Sequence, residues 1–132
     1  MARLGCECGY VIPDHDYALD YKAFMILDNN FVDFSDWFIE EIQGYITAVQ
    51  NGGARQWLLD NGYGEDYANL NLDHGNIMHD HILLRKFFEL KKDVYECTQC
   101  GRLHVQGKNN AFFSYSPGSG SFNGALKSNK SD

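Results

Sequence analysis

Two short stretches, Cys6-Glu7-Cys8-Gly9 and Cys97-Thr98-Gln99-Cys100-Gly101, contain every cysteine of the 132-residue chain. In each stretch two cysteines lie close together and a glycine follows the second. Four thiolates in two such pairs match the ligand set of one tetrahedral metal site. We therefore predict a single site with Cys6, Cys8, Cys97 and Cys100 as ligands, which joins the two ends of the chain.

One structural Zn²⁺ is the expected ion, because zinc favours tetrahedral sulfur coordination and needs no redox partner. The glycines support this prediction. A tight turn that directs backbone N–H groups at a thiolate needs a positive φ just past the second cysteine, and Gly9 and Gly101 adopt it without a Cβ clash.

Three other chemistries are compatible with the cysteines: two disulfides, an iron–sulfur centre, and a redox pair made of Cys97 and Cys100. A bridge between Cys6 and Cys8 would close a strained ring, and no export signal indicates an oxidising compartment. No thioredoxin-like βαβ pattern surrounds the second pair. These observations favour the metal site.

Charge is distributed unevenly along the chain. Residues 1–84 hold fourteen acids and three bases, a balance of −11, whereas residues 85–132 have a balance of +4. An acidic surface repels phosphate backbones, so nucleic acid is not the expected partner. The acidity instead favours a basic protein partner, or simply keeps the chain soluble.

The first half of the chain predicts two strands and two helices. Residues 10–12 read as a strand that stops at Pro13, and residues 21–27 as a buried strand closed by a turn at Asp28-Asn29-Asn30. A helix capped by Asp33 or Ser35 follows and ends at Asn51-Gly52-Gly53. Its expected core face consists of Phe38, Ile42, Tyr45, Ile46 and Val49. A second, short helix is expected over residues 54–59.

The second half predicts a loop, a helix and a sheet. Residues 63–71 read as a loop that covers the core with Tyr63, Tyr67 and Leu70. Asp73 caps a helix whose Ile77, His81, Leu84, Phe88 and Lys91 share one face. Residues 94–96, 102–106 and 112–116 then form three strands around the second cysteine pair.

No enzymatic site is expected. His74, His79 and His81 suggest a second metal site, but a regular helix separates His79 and His81 by about 200°. The zinc-protease spacing H-E-x-x-H is absent from the sequence, as is the nucleophile motif G-x-S-x-G. We therefore interpret these histidines as ordinary core or surface residues. The sequence alone indicates no further role for them.

The two cysteine stretches, together with Tyr21-Lys22-Ala23, Asp36-Trp37-Phe38 and Ser114-Tyr115-Ser116-Pro117, resemble a group of small bacterial zinc-ribbon proteins. Some of these look like immunity proteins encoded beside polymorphic or contact-delivered toxins. The resemblance implies a protein that protects its own cell by binding a toxin. We expect the chain to be cytoplasmic because no export signal is apparent, and non-catalytic because no active-site motif is present.

The expected fold is α+β. A small zinc-ribbon-like antiparallel sheet has metal knuckles from both termini and packs against two or three helices. We expect residues 1–117 to form this single domain and residues 118–132 to form a flexible tail rich in Gly, Ser, Asn and Lys. No apolar run is long enough to span a membrane.

The expected partner is a basic toxin domain that binds a monomeric chain, with no membrane involved. Acidic residues and nearby aromatics predict the contact surface, namely Asp36, Glu40, Glu41, Trp57, Asp60, Tyr63, Glu65, Asp66 and Tyr67. The alternative function is a zinc-ribbon accessory factor that binds nucleic acid or the transcription–translation machinery. A hydrolase is the third possibility.

Overall fold

The computed structural model describes residues 2–15 and 17–129. Its fold class is α+β, as the sequence predicts, and the chain divides into two compact units. Unit 1 comprises residues 1–26 and 91–132, and unit 2 comprises residues 27–90. Asp16 and residues 130–132 of the expected tail lie outside the described residues.

Unit 1 holds the strands. A two-stranded antiparallel sheet pairs β1 (Ala2–Gly5) with β2 (Val11–Asp14). A four-stranded antiparallel sheet has the order β3-β4-β5-β6. Its strands are β3 (Lys22–Met25), β4 (Lys92–Glu96), β5 (Leu103–Gln106) and β6 (Phe112–Tyr115).

Strands β4 to β6 confirm the sequence prediction. β3 confirms the strand expected over residues 21–27 but not its burial, because none of its residues is buried and Phe24 is 50% exposed. Two details at the start of the chain also differ from the prediction. β1 was not expected, and β2 continues through Pro13 to Asp14 instead of stopping at the proline. Proline lacks an N–H donor but is tolerated on an edge strand, and each strand of a two-stranded sheet is an edge. Ile12 is 1% exposed and packs with Cys6, Tyr95 and Cys97.

Unit 2 holds the α-helices and a π-helix, whereas a short 3₁₀-helix (Lys108–Asn110) lies in unit 1. The helices of unit 2 are α1 (Asp28–Gln50), α2 (Ala54–Asp60), α3 (Glu65–Ala68), α4 (His74–His79), a π-helix (Asp80–Phe87) and α5 (Phe88–Leu90). Its core consists of Tyr45, Leu58 and Ile77 with half-buried side chains around them.

The predicted turn at Asp28-Asn29-Asn30 is wrong, because these residues are the first turn of α1. Asp28 suits that position, since a carboxylate interacts favourably with the helix dipole at an N-terminus. The predicted cap Asp73 is confirmed: its Oδ1 accepts a hydrogen bond of 2.8 Å from the Asn76 N–H.

The predicted apolar face of the last helix is wrong beyond His81. Ile77 and His81 are buried, but Leu84 and Phe88 are about half exposed. The helix becomes a π-helix at Asp80, and its wider i to i+5 turn rotates later side chains away from the 3.6-residue register. Leu70, also expected on the core, is 61% exposed.

No helix in the described part of the chain is both long and apolar enough to cross a membrane.

The stretch expected to be a flexible tail makes specific contacts with the rest of unit 1. The carboxylate of Glu96, 1% exposed, accepts hydrogen bonds from the N–H groups of Ala125 at 3.2 Å and Leu126 at 3.4 Å. Lys127 forms an ion pair with Asp20 at 3.6 Å. Residues 125–127 therefore supply donors and a charge to the sheet, and the mobility of the tail stays a prediction.

Substitutions at Gly101 and Gly9 can test whether the tail packs against the second cysteine turn. Both glycines have positive φ, +83° and +96°. A Cβ at Gly101 would lie 2.7 Å from the Ser121 carbonyl oxygen, whereas a Cβ at Gly9 would meet no atom within 4 Å.

We expect Gly9→Ala to lower the free energy of unfolding by about 1–2 kcal/mol, through backbone strain alone. Gly101→Ala should lower it by about 1–3 kcal/mol more, because the tail must move. Denaturant unfolding of both variants, in the full chain and in a chain lacking residues 118–132, checks this. Equal losses for the two variants in the full chain would contradict a docked tail.

Candidate metal centre

The two cysteine stretches form similar turns. In the first, the Cys6 N–H donates to the Tyr10 carbonyl oxygen and the Gly9 N–H to the Cys6 carbonyl oxygen, both at 2.9 Å. In the second, the Gly101 N–H donates to the Cys97 carbonyl oxygen at 2.8 Å. Each turn closes with a glycine of positive φ, so the predicted role of both glycines is confirmed.

The turns bring the four sulfur atoms together. Cys6 Sγ lies 3.5 Å from Cys100 Sγ, and Cys8 Sγ lies 3.6 Å from Cys97 Sγ. All four sulfurs lie within 4.8 Å of one another, and all four cysteines are free. A disulfide would bring two sulfurs to about 2.05 Å, whereas thiolates around one tetrahedral ion sit roughly 3.8 Å apart. The cluster could therefore hold a metal ion.

Backbone N–H groups point at the sulfurs, as a thiolate site requires. Burial raises the pKa of the Cys97 thiol, and the N–H groups of Cys100 and Gln99 oppose this by hydrogen bonding to its sulfur. Burial likewise raises the pKa of Cys6, to about 12. A metal ion must therefore displace protons from these two thiols, and the turns already hold donors that stabilise the resulting charge.

Cys100 behaves differently from the other cysteines. Burial raises the pKa of its thiol, but hydrogen bonds from the Arg102 N–H, from the Cys6 thiol and from the Arg102 side chain outweigh this effect. The pKa falls to about 6, and the Arg102 guanidinium lies 3.3 Å from the sulfur. The surroundings of Cys100 therefore favour its thiolate, which is the form of cysteine that binds a metal ion.

A second group of donors, which sequence reasoning missed, adjoins the cysteines. Cys6, Glu7 and His104 place their ligand atoms within 4.8 Å of one another. His104 is 2% exposed, and burial lowers its pKa, so that its imidazole stays neutral. Its Nε2 has no hydrogen-bond partner within the described residues. Because Cys6 belongs to both groups, His104 extends the sulfur cluster instead of forming a separate site.

The residues predicted to contact a partner all lie in unit 2, in two different environments. Five carboxylate residues are exposed: Asp36, Glu40, Asp60, Glu65 and Asp66. Glu41, Trp57, Tyr63 and Tyr67 are only partly exposed. The three aromatics pack against the core of unit 2, as the sequence predicted for Tyr63 and Tyr67. They are therefore less accessible to a partner than the carboxylates.

The buried His81 accounts for the inward position of Glu41, Trp57 and Tyr63. His81 is 4% exposed, and its Nε2 lies 3.0 Å from Glu41 Oε2 while its Nδ1 lies 2.7 Å from the Tyr63 hydroxyl. The rings of Trp37 and Trp57 pack on it, with centroids 5.2 and 5.1 Å away. Both imidazole nitrogens are therefore satisfied inside an aromatic enclosure.

His74 and His79 have partners of their own. His74 Nδ1 lies 2.6 Å from the Tyr45 hydroxyl, and the exposed His79 lies 3.2 Å from Asp80. Within the described ranges, the groups able to hold a metal ion do not include His74, His79 or His81. The structure does not bring the three histidines together as ligands.

Glu41 and its neighbour Glu40 form a matched pair for testing the His81 contact. Glu41→Ala should lower the free energy of unfolding by about 1–3 kcal/mol, because it leaves the Nε2 of a buried imidazole without a partner. Glu40→Ala removes the same charge from an exposed site and should change it by less than about 0.5 kcal/mol. Thermal or denaturant unfolding measures both, and similar losses would show that the Glu41 contact contributes little.

Comparison with known proteins gives the chain a family. No curated protein matches it, and no solved structure does. One family model matches residues 2–119, a span that contains both cysteine turns and all of unit 2. The chain therefore belongs to the family described as a domain of unknown function (DUF8617).

Proposed function

We propose that the four cysteines bind one structural zinc ion and that the protein acts without catalysis, by binding a protein partner. The observation that carries the zinc assignment is the approach of four free thiols, from the two ends of the chain, to 3.5 and 3.6 Å across the two turns. Zinc would supply a tetrahedral link between the turns. The chain supplies the donors to sulfur and the two glycine turns.

Acidity supports a protein partner over nucleic acid. Unit 2 carries eleven acidic residues and three basic ones, a formal charge of −8, which exceeds the net −7 of the whole chain. α1 alone has five acids and no lysine or arginine. Such a surface repels a phosphate backbone and speeds the encounter with a basic protein.

The specific form of the proposal is an immunity protein of a bacterial cytoplasm. In this role a monomer of the protein neutralises a basic toxin domain by covering its positively charged cleft. The resemblance to small zinc-ribbon proteins and the concentration of charge in unit 2 support it. The exposed carboxylates Asp36, Glu40, Asp60, Glu65 and Asp66 are the expected contacts.

Purified protein should contain about one zinc per chain. Cys97→Ser should lower the melting temperature sharply and release the metal, because the other three thiolates then lack a closed coordination shell. The bound metal should also be lost as pH falls, since protons compete for the thiolate ligands. Elemental analysis and thermal unfolding measure these effects.

Thr98→Ser is the control for the metal experiment, because Thr98 lies in the same turn and is not a ligand. It should keep both metal and melting temperature. Protein that contains no metal, or a Cys97→Ser variant as stable as the control, would contradict a structural zinc site.

Expression of the chain should protect cells from the toxin encoded by the neighbouring gene. Reversing charge at the five exposed carboxylates should weaken protection without changing the melting temperature, because none of these side chains is buried. Glu41 is left unchanged in this variant, since its carboxylate contacts His81. Growth assays and binding to the purified toxin measure the effect.

Full protection by a stable variant with the five charges reversed would show that this surface is not the contact. Failure of the wild-type chain to bind the toxin or to protect would contradict the immunity role itself.

A further inference from the structure

α1 carries a second apolar face that unit 2 does not bury. Val32 is 64% exposed, Ile39 61%, Phe31 55% and Ile46 44%. Val32, Ile39 and Ile46 are seven residues apart, so they lie along one side of the helix. The half-buried Ile42 and Val49 adjoin that side, and Val49 also packs against the core of unit 2. We call the set of Phe31, Val32, Ile39, Ile42, Ile46 and Val49 the α1 stripe.

The stripe leads into a groove at the C-terminal end of α1. This groove has a volume of about 360 Å³ and lies between α1 and α4. Ile42, Ile46 and Val49 line one side, and His74 and Met78 line the other. His74 Nδ1 is already paired with the Tyr45 hydroxyl, so the groove offers an almost wholly apolar surface. A cavity of this size accommodates large aliphatic or aromatic side chains.

An acidic edge follows the stripe. Asp33, Asp36 and Glu40 are exposed and, at helical spacing, lie together along one side of it. None of the three forms an ion pair within the described part of the chain. α1 contains no lysine or arginine that could neutralise them.

We infer that the α1 stripe, its groove and its acidic edge form a docking surface for a basic amphipathic helix of a protein partner. Apolar side chains at the i, i+3/i+4 and i+7 positions of that helix would lie on the stripe and enter the groove. Its lysine and arginine side chains would face Asp33, Asp36 and Glu40. This inference deepens the proposed function and rests on it, because it specifies the contact on the basic partner.

The charge opposes two other occupants of the stripe. A second copy of the chain, packed α1 against α1, would bring Asp33, Asp36 and Glu40 of both copies together, and α1 itself supplies no base to them. A membrane surface carries anionic headgroups, which the same acids repel. A basic amphipathic helix complements both the apolar surface of the stripe and the negative charge of its edge.

The probe is a synthetic amphipathic peptide of about 18 residues, which is about five helical turns, with leucine on one face and lysine on the other. One control peptide has the same composition in scrambled order, and a second replaces lysine with glutamate. Fluorescence anisotropy measures binding of each peptide to the full chain. We expect only the basic amphipathic peptide to bind tightly, because the surface requires both features.

Two pairs of substitutions test where the peptide binds. Val32→Gln/Ile39→Gln should weaken binding at least about tenfold, and glutamine at these exposed sites keeps the helix. Asp36→Asn/Glu40→Gln should weaken it about three- to tenfold, with a larger effect at low salt. The control Glu89→Gln removes an exposed charge of unit 2 outside α1 and should leave binding unchanged. Unchanged melting temperatures confirm that each variant is folded.

Several results would overturn the inference. Equal binding of the scrambled peptide would show that charge alone attracts it, and equal binding of the acidic peptide would show that the edge plays no part. Full binding by Val32→Gln/Ile39→Gln would place the contact elsewhere. A dimer in light scattering that Val32→Gln/Ile39→Gln dissociates would identify a second copy as the occupant.

The peptide experiment tests the docking surface and the toxin experiment tests the immunity role, so either can be contradicted without the other. Peptide binding with no protection from a toxin would leave the docking surface intact and remove the immunity role. Protection without stripe-dependent peptide binding would leave the immunity role intact and remove the docking surface.

Discussion

Unit 1 depends on the meeting of its two cysteine turns. The sheet of β1 and β2 has only four residue pairs, and an isolated two-stranded sheet is marginally stable in water. Cys6 follows directly after β1, and its sulfur lies 3.5 Å from that of Cys100 in the turn between β4 and β5. The sulfur contacts, together with the packing of Ile12 around them, therefore fix the first strands to the second sheet.

The pairing of β3 with β4 explains how unit 2 is inserted into the chain. Unit 2 leaves unit 1 after β3 and returns to it at β4, and these two strands pair with Met25 opposite Lys92. The two ends of the helical segment are thus held next to each other by backbone hydrogen bonds of unit 1. Closing a loop this long costs only slightly more than closing a shorter one, because the entropy loss grows with the logarithm of length.

The features that the sequence could predict are those that depend on residues close together in the chain. The cysteine spacing, the glycines after each pair, the Asp73 cap and strands β4 to β6 each have a signal within a few residues, and the structure contains them all. Features that depend on distant partners gave no such signal. The docking of residues 125 and 126 follows from the buried carboxylate of Glu96, and nothing near Leu126 reveals that requirement. The enclosure of His81 likewise joins Glu41, forty residues away, to a π-helix outside the 3.6-residue period.

α1 shows why periodicity locates a helix more reliably than its buried face. The predicted core face placed Tyr45 and Ile46 together, yet Tyr45 is 2% exposed and Ile46 is 44% exposed. Apolar residues cover so much of α1 that the pattern fits two adjacent faces, and the core of unit 2 can bury only one of them. We expect the acids beside the remaining face to oppose association between like chains through charge repulsion. In our proposal the same charges favour an oppositely charged helix on this face.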